Sequence, residues 1–201
     1  MNENEAISIW TGKNYSGCSE SDLEEIALRY YLIDGFEALN QNLLGSQLSQ
    51  NFSPEMKKAL FISSDVLSRK LGKLPDYRSE AMVLNLGQHN LFLQPLTSQY
   101  LESPISRQYF PEHVIEKIRT TYEIQSPCFI SANLGWEVKQ QRPHKLIINS
   151  MTGKRVDDYS ENLDTENEVL FDKNTLFYVE YIEEYKSEIW FYLTEANYVS
   201  N

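Results

Sequence analysis

The spacing of apolar residues changes period partway along this chain. In the first part it is helical. Leu23, Ile26, Ala27, Tyr30, Tyr31, Ile33 and Phe36 recur at intervals of three and four, which puts them on one broad face of a helix. The pattern predicts a helix over residues 22 to about 41, capped by Ser19 or Ser21, with Gly35 marking a break into two shorter helices. Ser53-Pro54-Glu55 then gives a helix start, with serine at the cap and proline in the first turn. Met56, Leu60, Ile62, Val66 and Leu67 carry that helix to about Leu71, and Gly72 ends it. Ahead of both, residues 6–10 form a short apolar stretch closed by the turn-like Thr11-Gly12-Lys13-Asn14.

Beyond Gly72 the pattern becomes that of strands. Residues 74–78 and 82–84 predict a first strand region, while residues 85–112, rich in Gln, Asn, Ser and Pro, read as irregular. Phe110-Pro111-Glu112-His113 leads into a helix to about Tyr122. Strands are expected at 129–131, 145–149, 168–171, 175–185 and 188–194, with 184–187 as the turn of a final hairpin. No repeat, linker or low-complexity run divides the chain. Helices first and strands later predicts an α+β class and one domain over 1–201, mainly helical over 1–73 and strand-bearing over 74–201.

Composition narrows the function. The 201 residues are 41% hydrophobic and 12% aromatic, enough for a folded core. A net charge of −11 argues against a surface that grips nucleic acid or anionic lipid, although a local basic cluster can still hold a small phosphate ligand. Cys18 and Cys128 are too few for a disulfide framework. His89, His113 and His144 lack an i, i+4 pair, so no metal site is expected. The acidic start, Met-Asn-Glu-Asn-Glu-Ala, is no Sec-type signal, and no run of about 18 apolar residues suggests a membrane span.

The candidate chemistry lies near the C-terminal end. Glu166 and Glu168 stand at i and i+2, directly before Val169-Leu170-Phe171. On an extended backbone, residues two apart point to the same side. The apolar triplet would then anchor a loop that projects both carboxylates into one site. Such a pair can stabilise a developing cation and accept a proton, because mutual repulsion separates the two titrations.

Taken with two upstream pieces, this motif resembles the arginine-specific mono-ADP-ribosyltransferases of the bacterial toxin and effector branch. The pieces are Tyr77-Arg78-Ser79 and Phe129-Ile130-Ser131-Ala132-Asn133, in the family's order of Arg, Ser-Thr-Ser and Glu-x-Glu. The resemblance continues in Ile7-Ser8-Ile9-Trp10-Thr11-Gly12-Lys13-Asn14-Tyr15, similar to the family's opening stretch before its first helix, in Ser53 through Leu67, similar to the helix that precedes the arginine strand, and in Ser160 through Phe171, similar to the loop that carries the catalytic glutamate. It covers most of the chain except 85–125. Ala132 and Asn133 depart from Ser-Thr-Ser, and Ser79 stands where a glycine commonly follows the arginine.

The resemblance implies N-terminal helices packed on two perpendicular β-sheets that form an NAD cleft, with NAD as co-substrate and no metal. It implies that Arg78, with Ser79 beside it, binds the dinucleotide, since a planar guanidinium can bridge a phosphate and a ribose. Glu168 would face the oxocarbenium-like sugar left when nicotinamide departs, and Ser131 would orient Glu168 while lining the NAD site. Glu166 would seat the acceptor guanidinium and help remove its proton. Leu163 stands where these toxins often carry a target-recognising aromatic. It can equally be a loop residue packing on the core, and Tyr159 is an aromatic that can serve instead. A glycoside hydrolase would need carboxylates on opposite sides of a sugar, about 5–9 Å apart.

The implied activity is transfer of ADP-ribose to an arginine of a target protein. Two other readings stay open: NAD glycohydrolysis on the same fold, and a catalytically silent binding module. The resemblance further implies a virulence protein secreted by a specialised bacterial system without a Sec-type signal and acting in a target-cell cytosol. Partners would be NAD, a target protein and an immunity or chaperone protein, without nucleic acid.

Overall fold

In the computed structural model, residues 1–83, 123–134, 144–159, 167–185 and 188–196 are described. The irregular stretch 85–112, the helix expected from Phe110 to Tyr122 and the hairpin tip at Lys186-Ser187 lie outside them. The chain forms two compact units: Met1–Pro75 with Val156–Glu166, and Asp76–Arg155 with Asn167–Asn201.

The first unit is helical. Helix α1 (Glu3–Thr11) corrects the expectation that the opening stretch precedes the first helix: it is that helix. Asn2 caps it reciprocally with Glu5, each side chain accepting from the other's backbone N–H, and it ends at left-handed Gly12. Helix α2 (Glu20–Tyr30) starts at Ser19, paired in the same way with Asp22. The expected break at Gly35 is present as a wider π-helical turn, Tyr31–Gly35, which leads into α3 (Phe36–Leu44). A short α4 (Gln47–Gln50) follows, then α5 (Pro54–Gly72), capped by Ser53 and bounded as its sequence predicts. No helix among the described residues is long and apolar enough to cross a membrane.

Helix α5 is the centre of this unit, burying Ala59, Leu60, Val66, Leu67 and Leu71 against α1, α2 and α3. Its charged end is cross-linked as well. Glu24 of α2, only 2% exposed, accepts from Arg69 at 2.7 Å and from Lys73 at 2.6 Å, and Arg69 also reaches Glu3 of α1 at 2.8 Å. Burial alone would raise the Glu24 pKa, but the hydrogen bonds from Lys73 and Arg69 outweigh it and hold the carboxyl below its usual range.

The second unit is built of strands: β1 (Asp76–Tyr77), β2 (Glu80–Val83), β3 (Glu123–Gln125), β4 (Ile130–Asn133), β5 (His144–Asn149), β6 (Gly153–Arg155), β7 (Glu168–Phe171), β8 (Leu176–Tyr185) and β9 (Glu188–Glu195). Their order is β1-β6-β7-β4-β2-β5-β9-β8-β3, antiparallel except for β5 beside β9. The ladder falls into two blocks that meet where β2 pairs with β4, and among the described residues that pairing sets Met82 opposite Asn133. Both blocks feed one apolar cluster: Ile130, Ala132, Val169 and Phe171 from one, Leu146, Ile148, Phe177, Phe191 and Leu193 from the other. Helices ahead of largely antiparallel sheet layers make the class α+β, as the sequence predicts. Strands β3 and β6 escaped the sequence reading because each is only three residues long, too short to show an alternation.

The packing of the helical unit can be tested at Gly35 and at Glu24. At Gly35 an added Cβ would lie 2.5 Å from Trp10 Cζ2 and 2.7 Å from Tyr30 Cδ1. Helix propensity favours alanine over glycine by about 0.5–1 kcal/mol, whereas overpacking two fixed rings costs about 1–3 kcal/mol. Packing wins, so urea unfolding of Gly35→Ala should show a loss of about 1–2 kcal/mol. At Glu24 the folded-state pKa lies below the unfolded one, so its contribution is present above the unfolded pKa and is lost as pH falls through the folded value. Glu24→Gln should therefore lower stability by about 1–3 kcal/mol at neutral pH and flatten its decline in acid, measured by circular dichroism.

Candidate active site

Strand β7 pairs with β4 on one side and β6 on the other. In the β4–β7 register Ser131 lies opposite Leu170 and Asn133 opposite Glu168, which makes Ser131 and Glu168 diagonal neighbours on one face. The Ser131 hydroxyl donates a hydrogen bond to Glu168 Oε1. Glu168 is 7% exposed, so this bond satisfies a carboxylate that burial would otherwise leave costly. The fold thus brings these two side chains into direct contact from strands 37 residues apart in sequence.

Ala132 points the other way, into the core opposite Val169, and is fully buried. A threonine at that position would place a hydroxyl among apolar side chains, so the departure from Ser-Thr-Ser suits the packing here. Asn133 stays exposed on the face of Ser131 and Glu168.

The alternation expected of Glu166 and Glu168 stops at the residue between them. Asn167 is left-handed, with φ of 71°, and its carbonyl accepts from the Leu134 N–H at 2.7 Å. Asparagine tolerates that conformation better than most side chains. Extended backbone therefore begins at Glu168, and Glu166 and Leu163 lie outside the described residues.

The same face continues across the sheet. Leu170 lies opposite Lys154 of β6, and Lys154 opposite Asp76 of β1, so Ser131, Leu170, Lys154 and Asp76 form one row. Three strand spacings separate its ends, about 14 Å. Gly153 lets β6 approach this closely: a Cβ there would fall 2.7 Å from Val169 Cγ1 and 2.9 Å from Phe171 Cε1.

Arg78 follows β1 directly, and its side chain is 67% exposed. Its backbone is held from both sides by one buried residue. The Ser150 hydroxyl donates to the Tyr77 carbonyl at 2.7 Å, and the Ser150 N–H donates to the Ser79 carbonyl at 2.9 Å. Ser79 thus takes part through its carbonyl. The Arg78 guanidinium reaches Asp76 Oδ2 at 3.3 Å, and Lys154 Nζ reaches Asp76 Oδ1 at 2.5 Å. These two hydrogen bonds, that from Lys154 the stronger, hold the Asp76 carboxyl below its ordinary pKa.

Tyr159 belongs to the helical unit, in a single 3-10 turn, Asp157–Tyr159. Lys70 Nζ lies 4.8 Å and the Arg29 guanidinium 5.9 Å from its ring centroid, and Arg29 Nη1 donates to its carbonyl at 3.4 Å. The ring is half-buried beside two cations, an arrangement that its sequence position does not foretell. No group of metal-ligating side chains occurs among the described residues, and neither Cys18 nor Cys128 is in a disulfide. Sequence reasoning also missed Asp76, Lys154 and Ser150. Asp76 carried a signal, standing two residues before Arg78 in an extended run; Lys154 and Ser150 carried none, because only the fold brings them to that segment.

No protein-family model and no curated protein matches this sequence. Solved structures do. The type III effector XopAI from Xanthomonas axonopodis pv. citri is 20% identical with a TM-score of 0.58; the match covers 87% of this chain and 63% of that one. This chain thus spans less than two thirds of that effector. An ADP-ribosyltransferase from Clostridium botulinum is 16% identical with a TM-score of 0.63, covering 97% and 96% of the two chains. The ADP-ribosyltransferase Vis from Vibrio splendidus, crystallised with agmatine, is 16% identical with a TM-score of 0.57, covering 98% and 84%. Together with the helical unit, the strand order and the shared core, these likenesses show that the chain has the ADP-ribosyltransferase fold.

Proposed function

We propose that this protein transfers ADP-ribose from NAD to an arginine side chain of a target protein. The observation that carries the reading is the Ser131–Glu168 hydrogen bond, on a sheet face whose far end leads to Arg78. Glu168 supplies a fixed negative charge where the nicotinamide–ribose bond breaks. Nicotinamide leaves as a neutral molecule, the ribose carries the developing positive charge, and an acceptor guanidinium nitrogen bonds to the anomeric carbon and gives up a proton. Arg78 grips the diphosphate, and the row from Asp76 to Ser131 has the reach a dinucleotide needs. Glu166 seats the acceptor and takes its proton, with Leu163 as a further contact to the target. Tyr159, close to Arg29 and Lys70, shapes the approach of the target rather than inserting into it.

The arginine acceptor is supported by the agmatine-bound neighbour, since agmatine carries a guanidinium. A role as an effector or toxin, secreted without a Sec-type signal and acting in a target-cell cytosol, is supported by the likeness to a type III effector. The extent of the likeness to the Clostridium botulinum transferase supports reading 1–201 as one transferase domain. An immunity or chaperone partner belongs to the same reading.

Two substitutions test the chemistry with NAD labelled in its adenylate part. Glu168→Gln should keep the fold and lower both protein labelling and ADP-ribose release by about 10²–10³-fold, the cost of removing a charge aimed at the transition state. More than a tenth of wild-type activity would refute the assignment. Glu166→Gln should abolish protein labelling yet leave measurable ADP-ribose release, because water can still capture the sugar cation. Equal loss of both would mean that the two carboxylates act as one unit. Release of ADP-ribose without protein labelling in the wild type would instead favour the glycohydrolase.

A further inference from the structure

Arg78 would be expected to wander. It is 67% exposed and follows the end of a two-residue strand, and an exposed arginine samples many rotamers. Its surroundings restrain it. Asp76 sits two residues upstream with its carboxylate divided between two cations, Oδ1 to Lys154 at 2.5 Å and Oδ2 to Arg78 at 3.3 Å. Lys154 is no loose surface partner: its side chain is only 11% exposed and it stands directly across the β1–β6 ladder from Asp76. The carboxylate is therefore pinned from the sheet side before it meets the guanidinium.

We propose that Asp76 is a positioning residue for Arg78: fixed on one oxygen by Lys154, it holds the guanidinium with the other and presents the remaining donors to the diphosphate of the dinucleotide. This rests on Arg78 being the NAD-binding arginine. The charges are consistent with it. Two cations and one anion leave a net positive charge, so the trio still attracts an anion. Guanidinium carries five N–H donors, and the contact with Asp76 is made by one nitrogen, Nη2. Asp76 thus restricts orientation without consuming the fork. Without Lys154 the Arg78–Asp76 contact would be an ordinary exposed ion pair, and such pairs contribute little and exchange readily.

The test is a double-mutant cycle read by NAD calorimetry on the full chain: wild type, Asp76→Asn, Arg78→Ala and the double variant. Positioning predicts that Asp76→Asn weakens NAD binding about tenfold, that it adds nothing in the Arg78→Ala background, and that KM rises far more than kcat falls. Lys154→Met should reproduce the loss, and Asp76→Glu should recover part of it. Tighter or unchanged binding in Asp76→Asn overturns the proposal, as does an equal loss in both backgrounds, which would mark a merely structural effect. A second readout needs no nucleotide. The side-chain Nε–H resonance of Arg78 should show restricted motion in the wild type and averaging in Asp76→Asn. No difference there overturns the positioning role, whereas a wild type that restrains Arg78 but binds no NAD refutes the functional reading instead.

Discussion

Strand β7 is the constraint on which the strand-built unit turns. Its four residues are all buried, and it is paired on both edges. Val169 and Phe171 enter the shared core, where Phe171 meets Phe177 edge to face with ring centroids 5.6 Å apart. Leu170 and Glu168 face the other way. Because side chains alternate with a period of two, a slip of one residue would drive Glu168 into the apolar cluster and turn Val169 and Phe171 out of it. The core thus enforces the register, and the register brings the carboxylate to the Ser131 hydroxyl. Stability and site geometry come from the same pairing.

A second chain of contacts transmits this order to Arg78. Glu195, at the end of β9 and only 3% exposed, accepts from the backbone N–H groups of Met151 and Thr152 at 2.7 and 2.8 Å, and also from the Thr152 hydroxyl. That fixes the turn into β6. Ser150, at the head of the same turn, in turn grips the carbonyls on both sides of Arg78. A residue that is mostly in solvent is therefore attached to a backbone that is not free to move. Buried polar groups are costly unless satisfied, so Glu195 and Ser150 specify this turn more narrowly than apolar packing would.

The helical unit uses charge in a comparable way. Glu24 is buried at the junction of α2 and α5 with cations from the last turn of α5, and Arg69 extends the network to α1. The buried member is the carboxylate: Arg69 also pairs with Glu3 and Glu20, so Glu24 is the group that depends on both cations to offset its burial. At Tyr159 a different force acts, the attraction of two nearby cations to an aromatic ring.

Local signals in the sequence were sufficient for the parts governed by local physics. Ser53-Pro54 and Ser19 announce helix starts because caps satisfy N–H groups within one turn, and the aliphatic run of β5 and the aromatic runs of β8 and β9 announce strands because their periodicity is local. The order of Arg78, Ser131 and Glu168 was readable as a resemblance, since each sits in a short run with characteristic neighbours. Three features were decided by the tertiary structure. The π-turn at Tyr31–Gly35 exists where Trp10 packs against a glycine in a distant part of the chain. Asn167 adopts a left-handed conformation in the turn that meets Leu134, so the extended geometry expected for the two glutamates stops at Glu168. Asp76, Lys154 and Ser150 gather around Arg78 only because β1 and β6 pair across 78 residues of chain, a separation over which no local pattern carries information.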